Sequence, residues 1–253
     1  MKTLIVTGAS SGIGREFAET LSRMTDVEEV WVIARRADRL EELKTTINKT
    51  VIAISLDLSD YSCIEKYKNM LSDRSPEVVA LVNAAGYGRF GEVENVTLSD
   101  QVGMIDLNAM ALTQITYLTL PYMESGGQIY QVASISGLAP VPYLSVYAAT
   151  KAYVLSFSRA LNVELRHRGI RVMAVCPFWT RTEFFDRAAQ QNDVVVHYAR
   201  FYTPAQVVER AVKDMKRKKD VSICGAYARF LGFGMRFLPQ RLTMRIWCKQ
   251  QKK

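Results

Sequence analysis

The segment Tyr147-Ala-Ala-Thr-Lys151 places a phenol and an amine four positions apart. In an α-helix, positions i and i+4 share a face, so the two side chains would point the same way. An isolated tyrosine has a pKa near ~10, which is too high for efficient proton transfer at neutral pH. A neighbouring ammonium group lowers that pKa. The pair therefore predicts proton transfer at an oxygen atom, although the same spacing also recurs by chance in helices.

A glycine-rich turn follows the first apolar run of the chain and precedes a helical pattern. Glycines let the backbone turn tightly and approach a phosphate closely, and the next helix offers free N–H groups. The spacing is G-x-x-x-G-x-G, which differs from the standard dinucleotide fingerprint. Its place between a strand and a helix predicts pyrophosphate binding. The predicted contacts are Gly8, Ser10, Ser11, Gly12, Ile13 and Gly14.

Ser10 also belongs to a G-x-S-x-G pattern, which is typical of the nucleophile in α/β hydrolases. Such a nucleophile requires a histidine that is oriented by an acid. The chain has only His167 and His197, and neither has an evident acidic partner in its local sequence. We therefore favour phosphate binding at Ser10 over nucleophilic catalysis.

Two arginines, Arg35 and Arg36, end the second apolar run, and the next acid is Asp38. An acid at this position would bind the ribose 2′-hydroxyl of NAD, whereas guanidinium groups suit a 2′-phosphate. The sequence thus predicts NADP(H) as the cofactor.

Seven apolar, β-rich runs alternate with helical patterns along the chain. The predicted strands are residues 4–6, 30–33, 51–55, 78–82, 128–132, 171–175 and 221–224. Near-continuous apolar strands separated by helices predict an α/β fold: a doubly wound, Rossmann-type, mostly parallel seven-stranded sheet with helices on both faces. We expect one catalytic domain, residues 1–225, and a basic C-terminal extension, residues 226–253.

The charge of the chain is concentrated near its end. Residues 207–253 contain thirteen Lys and Arg and three acids, so the net charge of this segment is larger than the +8 of the whole chain. We expect no nucleic-acid face on the main domain. The four cysteines are scattered and form no metal-binding spacing. The first apolar run is too short for a secretory signal, which predicts a cytoplasmic protein.

The remaining polar residues complete a family pattern. Ser134 lies thirteen residues before Tyr147, Asn108 falls in a helical pattern, and Asp57 follows the third run. Asn83-Ala-Ala-Gly86 follows the fourth run. With the glycine turn and the Tyr147–Lys151 pair, these residues resemble the short-chain dehydrogenase/reductase family, in order from residue 3 to about residue 204.

The resemblance implies hydride transfer between NADP(H) and a carbonyl or alcohol, and it assigns catalytic roles to four residues. Tyr147 would be the general acid or base, Lys151 would assist it and bind the nicotinamide ribose, and Ser134 would hold the substrate oxygen. Asn108 would position a water in a proton relay. Ser136 does not match the family spacing, and we interpret it either as assisting Ser134 or as having no role in catalysis. The further cofactor contacts implied are Asp57, Leu58, Asn83, Ala84, Ala85, Gly86, Pro177, Thr180 and Thr182.

Two positions depart from the family pattern. Ala84 stands where an asparagine is usual, and Phe178 replaces the glycine that normally follows the proline. Phe178 either walls the substrate pocket or packs in the core, and we favour the pocket. The many aromatic residues in this region favour an apolar substrate, and residues 180–202 are interpreted as a lid over it.

The basic extension reads as two short helices, residues 226–238 and 239–253, with aromatic and cationic side chains. It could pack on its own domain, form a homo-oligomer interface, dock an acidic carrier protein or lie on an anionic membrane. The alternatives to small-ketone reduction are therefore reduction of 3-oxoacyl chains on a carrier, and a non-catalytic NADP(H)-binding or membrane-associated protein.

Overall fold

Strands and helices alternate over the residues that the computed structural model describes, which are 1–24, 26–188, 195 and 197–252, without the side chain of Arg187. The strands are β1 (Lys2–Thr7), β2 (Glu29–Ala34), β3 (Thr50–Ser55), β4 (Glu77–Asn83), β5 (Gln128–Val132), β6 (Arg171–Val175) and β7 (Val221–Ser222). The helices are α1 (Gly12–Met24), α2 (Ala37–Glu41), α3 (Leu43–Thr46), α4 (Tyr61–Arg74), α5 (Leu98–Ile105), α6 (Leu112–Thr119), α7 (Ser145–Glu164), α8 (Phe184–Ala188), α9 (Pro204–Lys216), α10 (Ala226–Phe237) and α11 (Gln240–Gln250). A π-helical turn, Asp106–Ala111, joins α5 to α6.

The strands form one parallel sheet in the order β3-β2-β1-β4-β5-β6-β7. This result confirms the predicted fold class. The chain winds outward from β1 to β3 on one side and from β4 to β7 on the other. The strand order reverses between β1 and β4, and ligands of such sheets bind in the crevice at the carboxyl ends beside this point.

The core has two halves because successive side chains of a strand point to opposite faces. Leu4 and Val6 pack on the face that α1 and α9 cover, whereas Ile5 packs with Tyr67 of α4 and Ile115 of α6. All five side chains are fully buried. The sheet is thus covered on both faces, as a run of consecutive apolar residues in a parallel strand requires.

The helical elements differ in detail from the sequence predictions. The sequence predicts one helix over residues 39–47, but the structure divides this segment into α2 and α3 at Glu42. The sequence also predicts a long helix over residues 147–168, whereas the helix begins at Ser145 and ends at Glu164, followed by a 3-10 turn, Leu165–Arg168. Both tail helices are present, but Pro239 caps α11 from outside its first turn. Among the described residues, no helix is both long and apolar enough to cross a bilayer.

A buried carboxylate attaches the last strand to the domain. Asp214 of α9 is 1% exposed, accepts a hydrogen bond from the Ser222 hydroxyl of β7 (3.0 Å), and lies 2.7 Å from Nε of Arg210 and 3.0 Å from Nζ of Lys219. Burial raises the pKa of Asp214, but the hydrogen bonds from Arg210, Lys219 and Ser222 outweigh it, and the net pKa is lowered. The position of β7 sets where the tail begins.

We expect Asp214→Asn to lower the free energy of unfolding by about 2 kcal/mol at pH 7, because two cations and a hydroxyl lose a buried charged acceptor. A carboxylate whose pKa is lowered by folding stabilises the protein above its unfolded pKa and loses this effect as the pH falls through the folded value. The difference between wild type and variant should therefore shrink below about pH 4. Urea unfolding at several pH values measures it, with the exposed Asp73→Asn as control. A difference that grows on acidification would contradict this account.

Candidate active site

A cavity of about 1020 Å³ occupies the crevice at the carboxyl ends of the strands. It extends from the glycine turn after β1 to Tyr147 and on to the tail helices α10 and α11. Every predicted cofactor residue except Asn83 lines it, and so do Ser134, Tyr147 and Lys151. The tertiary structure therefore brings the two ends of the predicted site into one continuous space.

Tyr147 and Lys151 lie on the first turns of α7, and both are buried. The Lys151 ammonium donates a hydrogen bond of 2.8 Å to the carbonyl of Val132, the last residue of β5. It lies 5.8 Å from the centroid of the Tyr147 ring. A Cβ at Gly137 would come within 2.7 Å of the Lys151 carbonyl carbon, so the turn after β5 can pack on α7 only with glycine there. The two predicted groups are thus held at the end of β5.

Burial dominates the ionisation of this pair. It raises the pKa of Tyr147 to about 12, and a hydrogen bond with Ser134 opposes the rise. Burial also lowers the pKa of Lys151 to about 8, and the nearby Cys176 thiol opposes this lowering. The expectation from sequence, a Tyr147 pKa below its usual value, considered only the neighbouring charge and not desolvation. At neutral pH Tyr147 is a neutral phenol, able to donate a proton.

Ser134 and Ser136 have different roles in the geometry. Ser134 caps the 3-10 turn Ile135–Gly137, and its Oγ accepts a hydrogen bond of 3.1 Å from the Ser136 backbone N–H. Ser134, rather than Ser136, is also the serine that lowers the pKa of Tyr147 against the effect of burial. Ser136 lines the same cavity but supports Ser134 through its backbone. Ser134 is therefore the hydroxyl near the phenol, the position that the family resemblance implies for it.

Asn108 lies in the π-helical turn between α5 and α6 and is fully buried. Its amide donates to the carbonyl of Tyr87 (2.8 Å) and to Oγ1 of Thr150 (3.1 Å), and its Oδ1 accepts from the Tyr87 N–H (3.0 Å). A Cβ at Gly86 would come 2.8 Å from that Oδ1 and 3.4 Å from Nζ of Lys151. Asn108 thus lies behind Gly86, next to Lys151, rather than in the cavity wall. π-Turns of this kind are frequent at functional sites.

The nucleotide end of the cavity combines glycines with a held arginine. Gly8 and Gly12 have φ of +68° and +56°, a conformation that side chains disfavour. Nη2 of Arg36 donates to the hydroxyls of Ser10 (3.1 Å) and Ser11 (2.9 Å). The Ser10 hydroxyl is thus engaged by a cation in a turn that suits phosphate, which supports our interpretation over the hydrolase one. Arg35 points elsewhere, 3.7 Å from Asp57.

Asn83 is the cofactor prediction that the geometry does not support. Its amide donates to Oγ1 of Thr116 and Oε1 of Gln131, at 3.0 Å each, and the side chain is 2% exposed. It also meets Thr7 at 3.5 Å. This network links β1, β4, β5 and α6 beneath the cavity floor. The family resemblance located the residue, but the alternation of side chains along β4 turns it into the core.

An aromatic wall covers the Tyr147 end of the cavity. The Phe184 ring lies 5.4 Å from that of Tyr147, and Trp179 packs against Phe178 and Trp247 at 5.7 Å and 6.4 Å. Phe178 lines the cavity and also packs against the main core, so the two alternatives considered for it are compatible in the geometry, and its role toward a substrate stays a prediction. Of the predicted lid, residues 189–194 and 196 lie outside the described residues, and the lid function stays a prediction. The wall makes this end of the cavity apolar.

Sequence reasoning missed two features of the site. Glu183 accepts a hydrogen bond of 2.6 Å from Nη1 of Arg36 and lies 3.9 Å from Arg39, so an acid occupies the space beside the predicted phosphate ligand. These ion pairs lower the pKa of the Glu183 carboxyl. The tail helices also line the cavity, through residues such as Phe230 and Trp247. The pairing of Arg36 with an acid 147 positions away leaves no local signal in the sequence. The apolar residues of the tail are recognisable in the sequence and could have indicated that the tail borders the site.

Comparisons with known proteins agree with this geometry. The family model described as short chain dehydrogenase matches residues 2–193. The chain is 35% identical over 192 residues to a very-long-chain 3-oxoacyl-CoA reductase-B of Danio rerio, covering 72% of this chain but only 60% of that protein. It is 31% identical over 233 residues to an NADP-dependent 3-hydroxy acid dehydrogenase of Schizosaccharomyces pombe, covering 88% of this chain and 90% of that protein.

Among solved structures, a short-chain dehydrogenase from Sphingobium yanoikuyae in complex with NADPH superposes with a TM-score of 0.79 at 30% identity, over 92% of both chains. The matched segment contains the glycine turn, Ser134, Tyr147 and Lys151. The chain therefore belongs to the short chain dehydrogenase family.

Proposed function

We propose that the protein is an NADP(H)-dependent oxidoreductase that reduces the carbonyl group of an apolar substrate, or oxidises the corresponding alcohol. The observation that carries the proposal is the cavity itself. At one end it has an arginine and two serine hydroxyls beside a glycine turn, and at the other a buried phenol with the Ser134 hydroxyl nearby, which lowers the pKa of that phenol. Two relatives at 30% identity or more carry NADP or NADPH in their names.

The residues at the nucleotide end fit NADP(H). The turn of Gly8 to Gly14 and the N-terminus of α1 would bind the pyrophosphate, and Arg36 with Ser11 would bind the 2′-phosphate. Asp57 and Leu58 would border the adenine ring, and Thr180 and Thr182 the nicotinamide amide. When bound, the reduced cofactor supplies the hydride.

The protein's own residues manage the oxygen and the proton. Ser134 would donate a hydrogen bond to the carbonyl oxygen, and Tyr147, a neutral phenol at pH 7, would give that oxygen its proton. Lys151, fixed by the Val132 carbonyl, would stabilise the phenolate that remains. Asn108 holds Tyr87 and Thr150 and would help to position a water in the relay that brings the replacement proton from solvent toward Lys151.

The apolar wall supports a hydrophobic substrate. Phe184, Phe178, Trp179 and Trp247 border the space in front of Tyr147, and two relatives are named for 3-oxoacyl-CoA or 3-hydroxy acid substrates. We propose a ketone or 3-oxoacyl chain as the substrate class. Assembly as a homo-oligomer and docking of an acidic carrier stay predictions, and the intact Asn108, Ser134, Tyr147 and Lys151 set disfavours a non-catalytic protein.

Tyr147→Phe should lower kcat for NADPH-dependent ketone reduction by about 10²- to 10⁴-fold, because the oxygen loses its proton donor. Affinity for NADPH, measured by fluorescence titration, should change little. Tyr153→Phe, an exposed tyrosine of the same helix, is the matched control and should retain activity. Turnover by Tyr147→Phe at the wild-type rate would overturn the proposed mechanism.

Ketone reduction should fall as the pH rises above about 8, since Lys151 loses its charge there while Tyr147 stays protonated to about 12. The measurement is the pH profile of kcat/KM between pH 6 and 10 in wild type and Lys151→Arg. The arginine variant should lack this fall, because guanidinium stays charged. A wild-type profile that is flat through pH 10 would contradict a role for the Lys151 charge.

Arg36→Gln should weaken binding of 2′,5′-ADP by about tenfold or more, because a charge-assisted hydrogen bond to the phosphate is lost. Glu183→Gln should strengthen it by up to about fivefold, since the competing ion pair is half-exposed and therefore weak. Calorimetry with 2′,5′-ADP and with 5′-AMP measures both, and Glu65→Gln on α4 is the control. Equal losses of 2′,5′-ADP and 5′-AMP binding in Arg36→Gln would exclude Arg36 as the 2′-phosphate ligand.

We further expect Arg35→Asp to shift the cofactor preference from NADP(H) toward NAD.

A further inference from the structure

The tail helices carry an apolar face that the domain leaves uncovered. Phe230, Phe233 and Phe237 are 75%, 65% and 66% exposed, although phenylalanine is normally buried. At 100° per residue these three positions fall within about 60° of one another on α10. Leu242 and Ile246 continue an exposed apolar strip on α11, at 43% and 44%. Contiguous exposed apolar side chains of this kind mark an interaction site.

The opposite faces of the same helices are attached to the domain. Ala228 is fully buried, and Leu231 and Met235 pack against the main core. In α11, the indole N–H of Trp247 donates to the Pro142 carbonyl (2.9 Å), and Gln251 exchanges hydrogen bonds with the His197 backbone. Phe233 and Phe237 therefore point away from the domain, on a helix whose other face is already docked, so packing on this domain does not account for these two side chains.

The charges beside the apolar face are all of one sign. Residues 221–253 contain seven Lys and Arg and no Asp or Glu. Arg229 and Arg236 follow one side of the phenylalanine row on α10, and Arg241, Arg245 and Lys249 form an i, i+4, i+8 row on α11; all five are exposed. A helix face of large apolar residues flanked by cations is the composition of helices that lie in the interface of anionic membranes.

The site and this surface share a wall. Phe230, Leu238 and Ile246 belong to the exposed face and also line the cavity that contains Tyr147. The apolar end of the cavity thus lies directly under the surface patch. We propose that α10 and α11 dock the protein on an anionic lipid surface, and that a lipophilic carbonyl substrate enters the cavity between them from the lipid. The second part rests on the proposed function.

The positive charge of α10 and α11 favours an anionic bilayer over the other partners that this surface could bind. A symmetric contact with a second copy would place the same patch against itself, and the seven cations without an acid would repel. An acidic carrier protein would satisfy the cations but would not require three aligned, exposed phenylalanines. An anionic bilayer provides a negative surface for the arginines and an apolar layer just beneath it for the rings.

The test is flotation of the full chain with vesicles of phosphatidylcholine alone or mixed equally with phosphatidylglycerol. We expect binding to the anionic vesicles, little to the neutral ones, and release by high salt, because screening weakens surface attraction. Phe233→Ser/Phe237→Ser, which leaves the cavity lining intact, should lower binding roughly tenfold. Leu98→Ser/Tyr117→Ser removes equally exposed apolar side chains on α5 and α6 and should have no effect.

A second measurement guards against a misfolded variant. Phe233→Trp, in an otherwise wild-type chain, should show fluorescence quenching by vesicles of brominated phosphatidylcholine and phosphatidylglycerol beyond that of wild type. No flotation, equal flotation of both double variants, or no added quenching would overturn the proposal. So would an apolar-face variant that changes only the oligomeric state in sedimentation, or a tail that binds an acidic carrier protein but no vesicle.

Substrate entry is tested by turnover. With NADPH, Phe233→Ser/Phe237→Ser should reduce a small water-soluble ketone at the wild-type rate but a long-chain ketone held in anionic vesicles about tenfold more slowly. Equal loss on both substrates, or no loss on either, would overturn lipid-side entry. If the wild type binds vesicles but reduces no ketone, the docking surface stands and the proposed reaction fails.

Discussion

The buried ammonium of Lys151 is the constraint around which the site is arranged. A desolvated cation is unfavourable, which lowers its pKa to about 8, and its bond to the Val132 carbonyl partly compensates. That bond requires the first turns of α7 to lie under the end of β5, and Gly137 makes the close packing possible. The same packing brings Ser134 to Tyr147. The proton donor and the hydroxyl beside it are therefore consequences of how one helix meets one strand.

The sheet topology supplies the second half of the site. Because the strand order reverses between β1 and β4, the glycine turn and the ends of β4 and β5 open on the same crevice. A cofactor bound at the turn would extend toward Tyr147 without any rearrangement of strands. Arg36 and Glu183 form an ion pair at this edge, and in our proposal the Glu183 carboxylate competes with the 2′-phosphate of the cofactor for Arg36.

The C-terminal helices take part in the site. α10 and α11 follow the segment that the family model matches, line the cavity and present an apolar and basic surface. The helices therefore belong to the site as much as the rest of the domain does. In our proposal the same side chains serve both the substrate space and the lipid surface.

Much of this could be inferred from the sequence by itself. The seven strands, the glycine turn and the shared helix face of Tyr147 and Lys151 are local patterns, because strand burial, turn geometry and helix periodicity act over a few residues. The role of Ser134 came from the resemblance to the family. Only the tertiary structure decided the inward turn of Asn83, the high pKa of Tyr147 and the pairing of Arg36 with Glu183. Each depends on which distant groups surround a side chain and how much water they exclude. That information arises when separate strands and helices pack together, and no short stretch of sequence contains it.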